Sequence, residues 1–377
     1  MPSLIRVAAC HASPKFLSAK ETTDKAITFI REAASNKANL VVFPETFIPA
    51  FPIWSALRPP TDNHDLFKRM ALESVYADGS EINAIRSEAK RLDVMVSIRF
   101  SEKVRTSSAT LYNSNMIIGT NGEALVHHRK LVATFFEKLT WAPGDGHGLR
   151  VADTPFGKIG NLICGENTNP LARYTLMAQG EQLHISTWPA IWPTRNPKPA
   201  AEQESTPPQE GSSSVSQGAN YDNVAANRTR AAAHCFEAKC FGVLCTGMLG
   251  QDAIDAISSG AGPHVARALE LSQQGATMFL DPTGTPLPSF VFEQGDPVAK
   301  NMLQKEEGIL YADMDLEDCI EGKQYHDVVG GYQRLDVFEL KVNRTRRHPV
   351  NFVGDVDSPG SAPATEMPEL VFRGDAE

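Results

Sequence analysis

The sequence, 377 residues long, predicts an α/β fold in which β-sheet is covered by helices. Three observations carry that reading. β-rich runs alternate with stretches whose apolar residues recur at helical spacing, two stretches fold back on themselves at turn signals, and runs such as residues 39–45 are apolar enough to be buried strands.

Residues 5–10, IRVAAC, are the first β-rich run. Ala26, Ile27, Ile30 and Ala34 then recur at helical spacing, and NLVVFPE (39–45) reads as a buried strand. Ile82, Ile85, Ala89 and Leu92 form a helical stripe that leads into the strand VMVSIRF (94–100). LYNSNMIIGTNGEALVHHRK (111–130) is a hairpin about Asn121-Gly122, a dipeptide that favours tight β-turns. GKIGNLIC (157–164) is a strand, the stretch PLARYTLMAQG a helix closed by Gly180, and LHIST (183–187) a strand. Residues 222–240 read as a helix and FGVLCTG (241–247) as a strand. GATMFLDPTGTPL is a further hairpin, and GILYADMDL (308–316) a late strand.

Two segments break the alternation. Residues 194–220 are rich in Pro, Ser, Glu and Gln, and the tail 350–377 has a similar composition. Such segments bury too little apolar surface to offset the entropy of ordering them. The expected organisation is a single catalytic domain over 1–349 carrying a flexible insertion at about 194–220, followed by an irregular tail.

The composition bounds the function. With 36 Lys and Arg against 45 Asp and Glu, the net charge is −9, which disfavours a phosphate-binding surface and makes nucleic acid an unexpected partner. The N-terminus lacks the apolar core of a signal peptide, and no apolar run is long enough to cross a membrane. The expectation is a cytoplasmic protein with no membrane partner. Six cysteines are too sparse for a disulfide framework, so they are expected to be thiols. The sequons at Asn227 and Asn343 then carry no meaning.

Three reactive side chains sit at strand ends: Glu45, Lys130 and Cys164. In open α/β sheets, sites form beyond the carboxyl ends of strands. Taken singly, each has a plainer reading, since cysteines after apolar strands are commonly inert and Glu or Lys at a strand end is commonly solvated. Taken as a set they make chemistry. A helix N-terminus after Cys164 and a nearby ammonium would stabilise a thiolate; a carboxylate would take the proton instead and later activate water. The lysine would also support negative charge developing on the attacked group.

VVFPETFIPAFPIW, HHRKLVATFFEKLTWAPGDG and FGKIGNLICGENTNPLARYTLMAQGEQLHIS resemble, in order, the three signature blocks of the nitrilase superfamily. The resemblance covers roughly residues 5–345. It implies a four-layer α-β-β-α sandwich and a triad with Glu45 as general base, Lys130 as electrostatic donor and Cys164 as nucleophile. Glu137 matches the family's second glutamate, which holds the lysine. EKLTWAPGDG, CGENTNPLARY and HISTWP look like the nitrilase branch, which converts small-molecule nitriles to carboxylic acids and ammonia through a thioimidate and a thioester. No cofactor and no metal are implied, and the family implies a homo-oligomer of dimers that assemble into larger or spiral forms. The chain departs from the family's usual pattern at Ala133, Gly165, Gly331 and Leu335, which bears on pocket shape.

Trp188 and Trp192, just past a strand end, read equally as pocket or core; with Phe51 and Thr134 they make the candidate substrate-binding set. Cys235, Cys240 and Cys245, with four residues between neighbours, do not match zinc spacing. His127 and His128 point to opposite faces of a strand. The glycine-rich stretch 144–148 follows Pro143 rather than a strand, unlike a phosphate loop. The alternatives to a nitrilase are an amidase or carbamoylase using the same triad, and a non-catalytic scaffold, which would need none of these four residues.

Overall fold

Side-chain alternation along the first strand divides the fold into layers. In β1 (Leu4–His11), Ile5, Val7 and Ala9 face one buried cluster, while Ala8 and Cys10 face another. Successive side chains on a strand point to opposite faces, so a strand apolar at both parities must be covered on both sides. The computed structural model describes residues 4–194 and 222–346. All of these except Arg346 belong to one compact unit, Met1–Thr345. The insertion and tail expected from composition fall, apart from Thr194, outside the described residues.

Twelve further strands follow: β2 (Leu40–Val42), β3 (Met95–Val104), β4 (Ser107–Ile118), β5 (Ala124–Arg129), β6 (Ala152–Thr154), β7 (Gly157–Ile163), β8 (Leu183–Trp188), β9 (Phe241–Thr246), β10 (Met278–Leu280), β11 (Phe290–Glu293), β12 (Asp296–Ala299) and β13 (Gly308–Asp315). They form an eight-stranded sheet in the order β12-β11-β13-β1-β2-β3-β4-β5 and a five-stranded sheet in the order β10-β9-β8-β7-β6. Within them β1, β2 and β3 run parallel to one another, as do β7, β8 and β9.

One cluster joins the facing sides of the two sheets: Val7, Leu40, Met95 and Leu310 of the larger meet Ile159, Ile185, Val243 and Phe279 of the smaller. On the outer face of the larger sheet, Ala26, Ile30 and Ala33 of helix Ala19–Ser35 and Ile82, Ile85 and Ala89 of helix Ser80–Leu92 pack over Val41, Val96 and Ile98. On the smaller sheet, helix Asn223–Ala238 sets Ala231 and Cys235 against Ile163 and Leu244, and helix Pro170–Met177 sets Ala172 and Leu176 against Leu162. Helix, sheet, sheet, helix is the sandwich that the sequence resemblance implied.

Several details differ from the sequence reading. The strand expected over residues 39–45 stops at Val42, because Pro44 has no N–H to donate and Thr46 turns back with φ 45°. The hairpin expected over residues 275–287 is β10 with a tight turn and one bridge, Leu280 to Pro286; prolines at 282, 286 and 288 prevent a ladder. The hairpin β11–β12 went unread because β12 (DPVA) is fully exposed and polar in pattern. Helices His64–Glu73, Gln251–Ser258 and Pro263–Leu271 also lay outside the sequence assignment. No helix among the described residues is long and apolar enough to cross a membrane.

Candidate active site

Glu45 lies in the turn beyond β2, and both it and Lys130 are buried. Lys130 follows β5, and its N–H extends the ladder by donating to Asn113 O at 2.8 Å. The loop at 144–148 closes behind it. Gly144 N–H donates to Lys130 O at 2.9 Å, and a Cβ at Gly144 would lie 2.5 Å from Arg129 O and 2.6 Å from Lys130 O. Gly144 therefore serves close backbone approach to the lysine, while Gly146 and Gly148 allow the same approach to Asn343 and His128.

Lys130 Nζ donates to Glu45 Oε1 at 3.0 Å and to Glu137 Oε1 and Oε2 at 2.8 and 2.7 Å. Glu137 is the third residue of the short helix Phe135–Leu139, where it and Thr134 cap each other; its Oε2 accepts from Thr134 N–H at 2.7 Å. Asn113 Nδ2 donates to Glu45 Oε1 at 2.8 Å. The other oxygen of Glu45, Oε2, is buried and has no hydrogen-bond partner.

Cys164 comes directly after β7 with φ 50°, a left-handed conformation that non-glycine residues adopt only under constraint. Glu166 supplies the constraint. Its Oε2 accepts from Ile163 N–H at 2.9 Å, its Oε1 accepts from Leu131 N–H at 2.5 Å, and His128 Nε2 lies 3.0 Å from Oε2. Asn167 Nδ2 donates to Cys164 O at 2.9 Å, and Asn167 Oδ1 pairs with His184 Nε2 at 2.8 Å. The result brings Cys164 Sγ and one oxygen each of Glu45 and Glu137 within 4.8 Å of one another.

Burial alone would lower the Lys130 pKa, but the negative charge that Cys164, Glu137 and Glu45 can carry outweighs it and holds the ammonium well above the usual lysine value. Burial pushes Glu137 up to about 7, with Lys130 opposing and Glu45 adding to the rise. Burial, then Glu45, push the Cys164 thiol well above its ordinary value, against the pull of Lys130. Of the two sequence readings, a stabilised thiolate or a proton passed to a carboxylate, this favours the second, because burial and two carboxylates outweigh Lys130 and Arg230. The helix expected to help, Pro170–Met177, begins six residues on and is capped by the Asn169 side chain. The resting group is a thiol beside an unpartnered carboxylate oxygen.

Cys164 lines a cavity of about 190 Å³ with Thr134, Trp188 and Trp192. Trp188 answers both sequence readings, since it is 1% exposed, packs in the core and still walls the cavity. Phe51 stands one layer back, edge-on to Trp141 and tilted against Trp192, and lines a small separate space with Glu45. A side chain at Gly165 would start 2.8 Å from Thr134 Oγ1, so glycine there keeps Thr134 in place.

Sequence reading missed Asn113, Glu166, Asn167 and His184. The available signal was polarity in the wrong place: an Asn in the alternating hairpin strand, and an acid and an amide just after the cysteine. The described residues also bring Glu181, His234 and Cys240 within ligand distance of one another, but His234 Nε2 is already 2.6 Å from Glu181 Oε2.

A carbon-nitrogen hydrolase family model matches residues 6–324. The chain is 32% identical over 353 residues to a nitrilase of Penicillium rubens, covering 92% of this chain and 96% of that one. It is 31% identical over 345 residues to an arylacetonitrilase of Hypocrea virens, covering 90% and 92%. Among solved structures, the C. elegans NitFhit protein superposes with a TM-score of 0.63 at 16% identity, over 92% of this chain and 69% of that one. A match of this extent, on a chain that buries a lysine between two glutamates beside a cysteine, shows that the protein belongs to the carbon-nitrogen hydrolase family.

Proposed function

We propose that the protein hydrolyses nitriles to carboxylic acids and ammonia through a covalent intermediate on Cys164. The observation that carries the reading is the Lys130 ammonium held between the Glu45 and Glu137 carboxylates, whose oxygens lie near Cys164 Sγ, with Cys164 lining a cavity. The relatives named nitrilase and arylacetonitrilase, which align along most of the chain, supply the substrate class.

In this reading Glu45 Oε2 takes the thiol proton as Sγ bonds to the nitrile carbon and one C–N π bond breaks. The nitrogen takes a proton from Lys130, the proton that the Glu45 carboxyl received restores the ammonium, and a thioimidate and the Glu45 carboxylate remain. Water adds to its carbon, giving Glu45 a proton that passes to the nitrogen. The hydroxyl of the adduct gives its proton, through Glu45, to the nitrogen as the C–N bond breaks; ammonia leaves and a thioester remains. A second water attacks with Glu45 as base, the C–S bond breaks, the thiol recovers its proton, and the acid departs. Two waters enter for each nitrile.

Glu137 keeps Lys130 charged and aimed, a positioning role. Thr134, Trp188 and Trp192 bound the substrate, and Phe51 supports Trp192 from behind. Homo-oligomerisation belongs to the same proposal, supported by exposed apolar side chains at Tyr332, Leu335, Val337 and Phe338, and light scattering measures it. Ammonia release from a panel of nitriles and matched amides tests the activity. Release from nitriles that disappears in Cys164→Ala is expected; release from the amides alone would overturn the nitrile reading.

A further inference from the structure

In the covalent reading above, two waters are consumed after the substrate is already bonded to Cys164. By then the acyl group occupies the cavity of about 190 Å³ that Cys164 lines. Glu45, the base for both waters, is 3% exposed, so bulk water does not reach it freely. Its Oε1 accepts from Lys130 and Asn113, while Oε2 is buried with no hydrogen-bond partner. A buried acceptor left unpaired costs free energy, and a charged one costs more.

Glu45 also lines a second, smaller space of about 40 Å³, and among the described residues Pro189 alone belongs to both linings. A water needs roughly 10–15 Å³ of such space and two to four polar partners. The smaller space therefore has room for about two or three waters, which covers the two that one turnover uses. Thr46 is in the same lining. Its hydroxyl donates to Asn113 Oδ1 at 3.2 Å, so its oxygen keeps lone pairs to accept with. Glu45 Oε2, Thr46 Oγ1 and a neighbouring water together satisfy the requirement. The space lies far below the roughly 300–1,000 Å³ of pockets for drug-sized ligands, so it suits water and not the substrate chain.

We propose that this space is the berth of the hydrolytic waters, which donate to Glu45 Oε2 and reach the bonded carbon past Glu45 rather than through the cavity that the acyl group fills. In the last step the water oxygen bonds to the thioester carbon as Oε2 takes a proton. The C–S bond then breaks, and Sγ receives that proton from Oε2.

Gly247 shows how the berth can be narrowed. A Cβ there would lie 3.6 Å from Ala190 N, 3.6 Å from Pro44 Cβ and 3.8 Å from Ala12 O, ordinary contacts with three residues of the same lining. Its φ is not positive, so alanine brings no backbone strain. Ala253, on helix Gln251–Ser258, lines the space from a different element.

Wild-type protein, Gly247→Ala and Ala253→Val are mixed with hexanenitrile, and with hexanamide in parallel, then quenched in acid at intervals for intact-protein mass spectrometry. Either substrate leaves the same hexanoyl thioester on Cys164. In both variants that adduct should accumulate and clear on the order of tenfold more slowly, and with hexanamide kcat and KM should fall together while kcat/KM stays within about twofold. Hydroxylamine distinguishes a narrowed berth from a displaced base. It attacks the thioester without Glu45, giving the hydroxamate and the free thiol, so it should clear the adduct in Glu45→Gln and lag in the two narrowed variants. Clearance at the wild-type rate in those variants, by water or by hydroxylamine, overturns the berth. An adduct from hexanamide alone, slow to clear in both, supports the berth and overturns the nitrile reading. No adduct from either substrate overturns both.

Discussion

Glu166 Oε2 lies 3.0 Å from His128 Nε2, and this contact ties the turn that carries Cys164 to the strand that delivers Lys130. The same carboxylate accepts from the N–H groups of Ile163 and Leu131, the residues next to Cys164 and Lys130 in the chain. Burial works against its charge, but His128 and the two backbone donors hold its pKa below the usual carboxylate value. Cys164 and Lys130 are therefore registered through one anion.

Glu166→Gln should expose that role. The amide presents an N–H to one of two backbone donors, so a buried donor loses its acceptor at about 1–3 kcal/mol. The expected outcome is a melting temperature lower by several degrees and a kcat lower by roughly 10- to 100-fold, with KM changing less. Unchanged kcat in a folded variant would remove Glu166 from the positioning role.

Glu45→Gln should slow both thiol activation and water attack, since Oε2 is the unpartnered oxygen. A loss of roughly 10²- to 10⁴-fold in kcat is expected. Intact-protein mass spectrometry after mixing with nitrile should find an adduct, and peptide mapping should place it on Cys164. An adduct on buried Cys10, Cys235 or Cys240, or turnover retained in Cys164→Ala, would reject the assignment.

Gly144→Ala should damage the site through the backbone. A Cβ would meet two carbonyl oxygens at 2.5 and 2.6 Å, so the loop must move away from Lys130. A cost of about 1–3 kcal/mol is expected, with kcat falling along with the melting temperature. Alanine at Gly260, where nothing lies within 4 Å but φ is +69°, separates backbone strain from collision: it should lower stability and spare kcat.

The buried Glu181–His234 pair predicts a stability maximum near pH 6.5. Burial opposes the charge on His234, but Glu181 outweighs it and pushes the imidazole up to about 9. That contribution is complete below the unfolded value of about 6.5 and is lost as pH rises through 9. Burial also opposes the charge on Glu181, yet His184 and His234 pull it down to about 2, so its contribution is present above roughly pH 4.5 and is lost on falling through 2. His184, pushed down to about 4 by burial and by charged His234, stays neutral while its unfolded counterpart takes a proton, which erodes stability from pH 6.5 down to 4. Calorimetric melting between pH 4 and 9 should show this dome, and Glu181→Gln should flatten the alkaline limb. A melting temperature that is level from pH 6.5 to 9 would contradict the pairing.

The sequence by itself determined the α/β alternation, most strand and helix positions, and the four residues of the candidate machinery. Periodicity is local: an alternating or helical stripe shows wherever one face must be buried, as at Ile82–Ile85–Ala89. Glu45 and Cys164 were legible because each ends an apolar run, and Lys130 because it closes the return arm of a hairpin. What only the tertiary structure decided depends on neighbours far away in the chain. Asn113 reaches Glu45 across 68 residues and Glu166 reaches His128 across 38, and neither pair leaves a local pattern. The thiol's protonation followed from how many charges share its burial. Burial, charge balance and the accounting of unpaired donors are properties of the folded neighbourhood, and no stretch of sequence carries them alone.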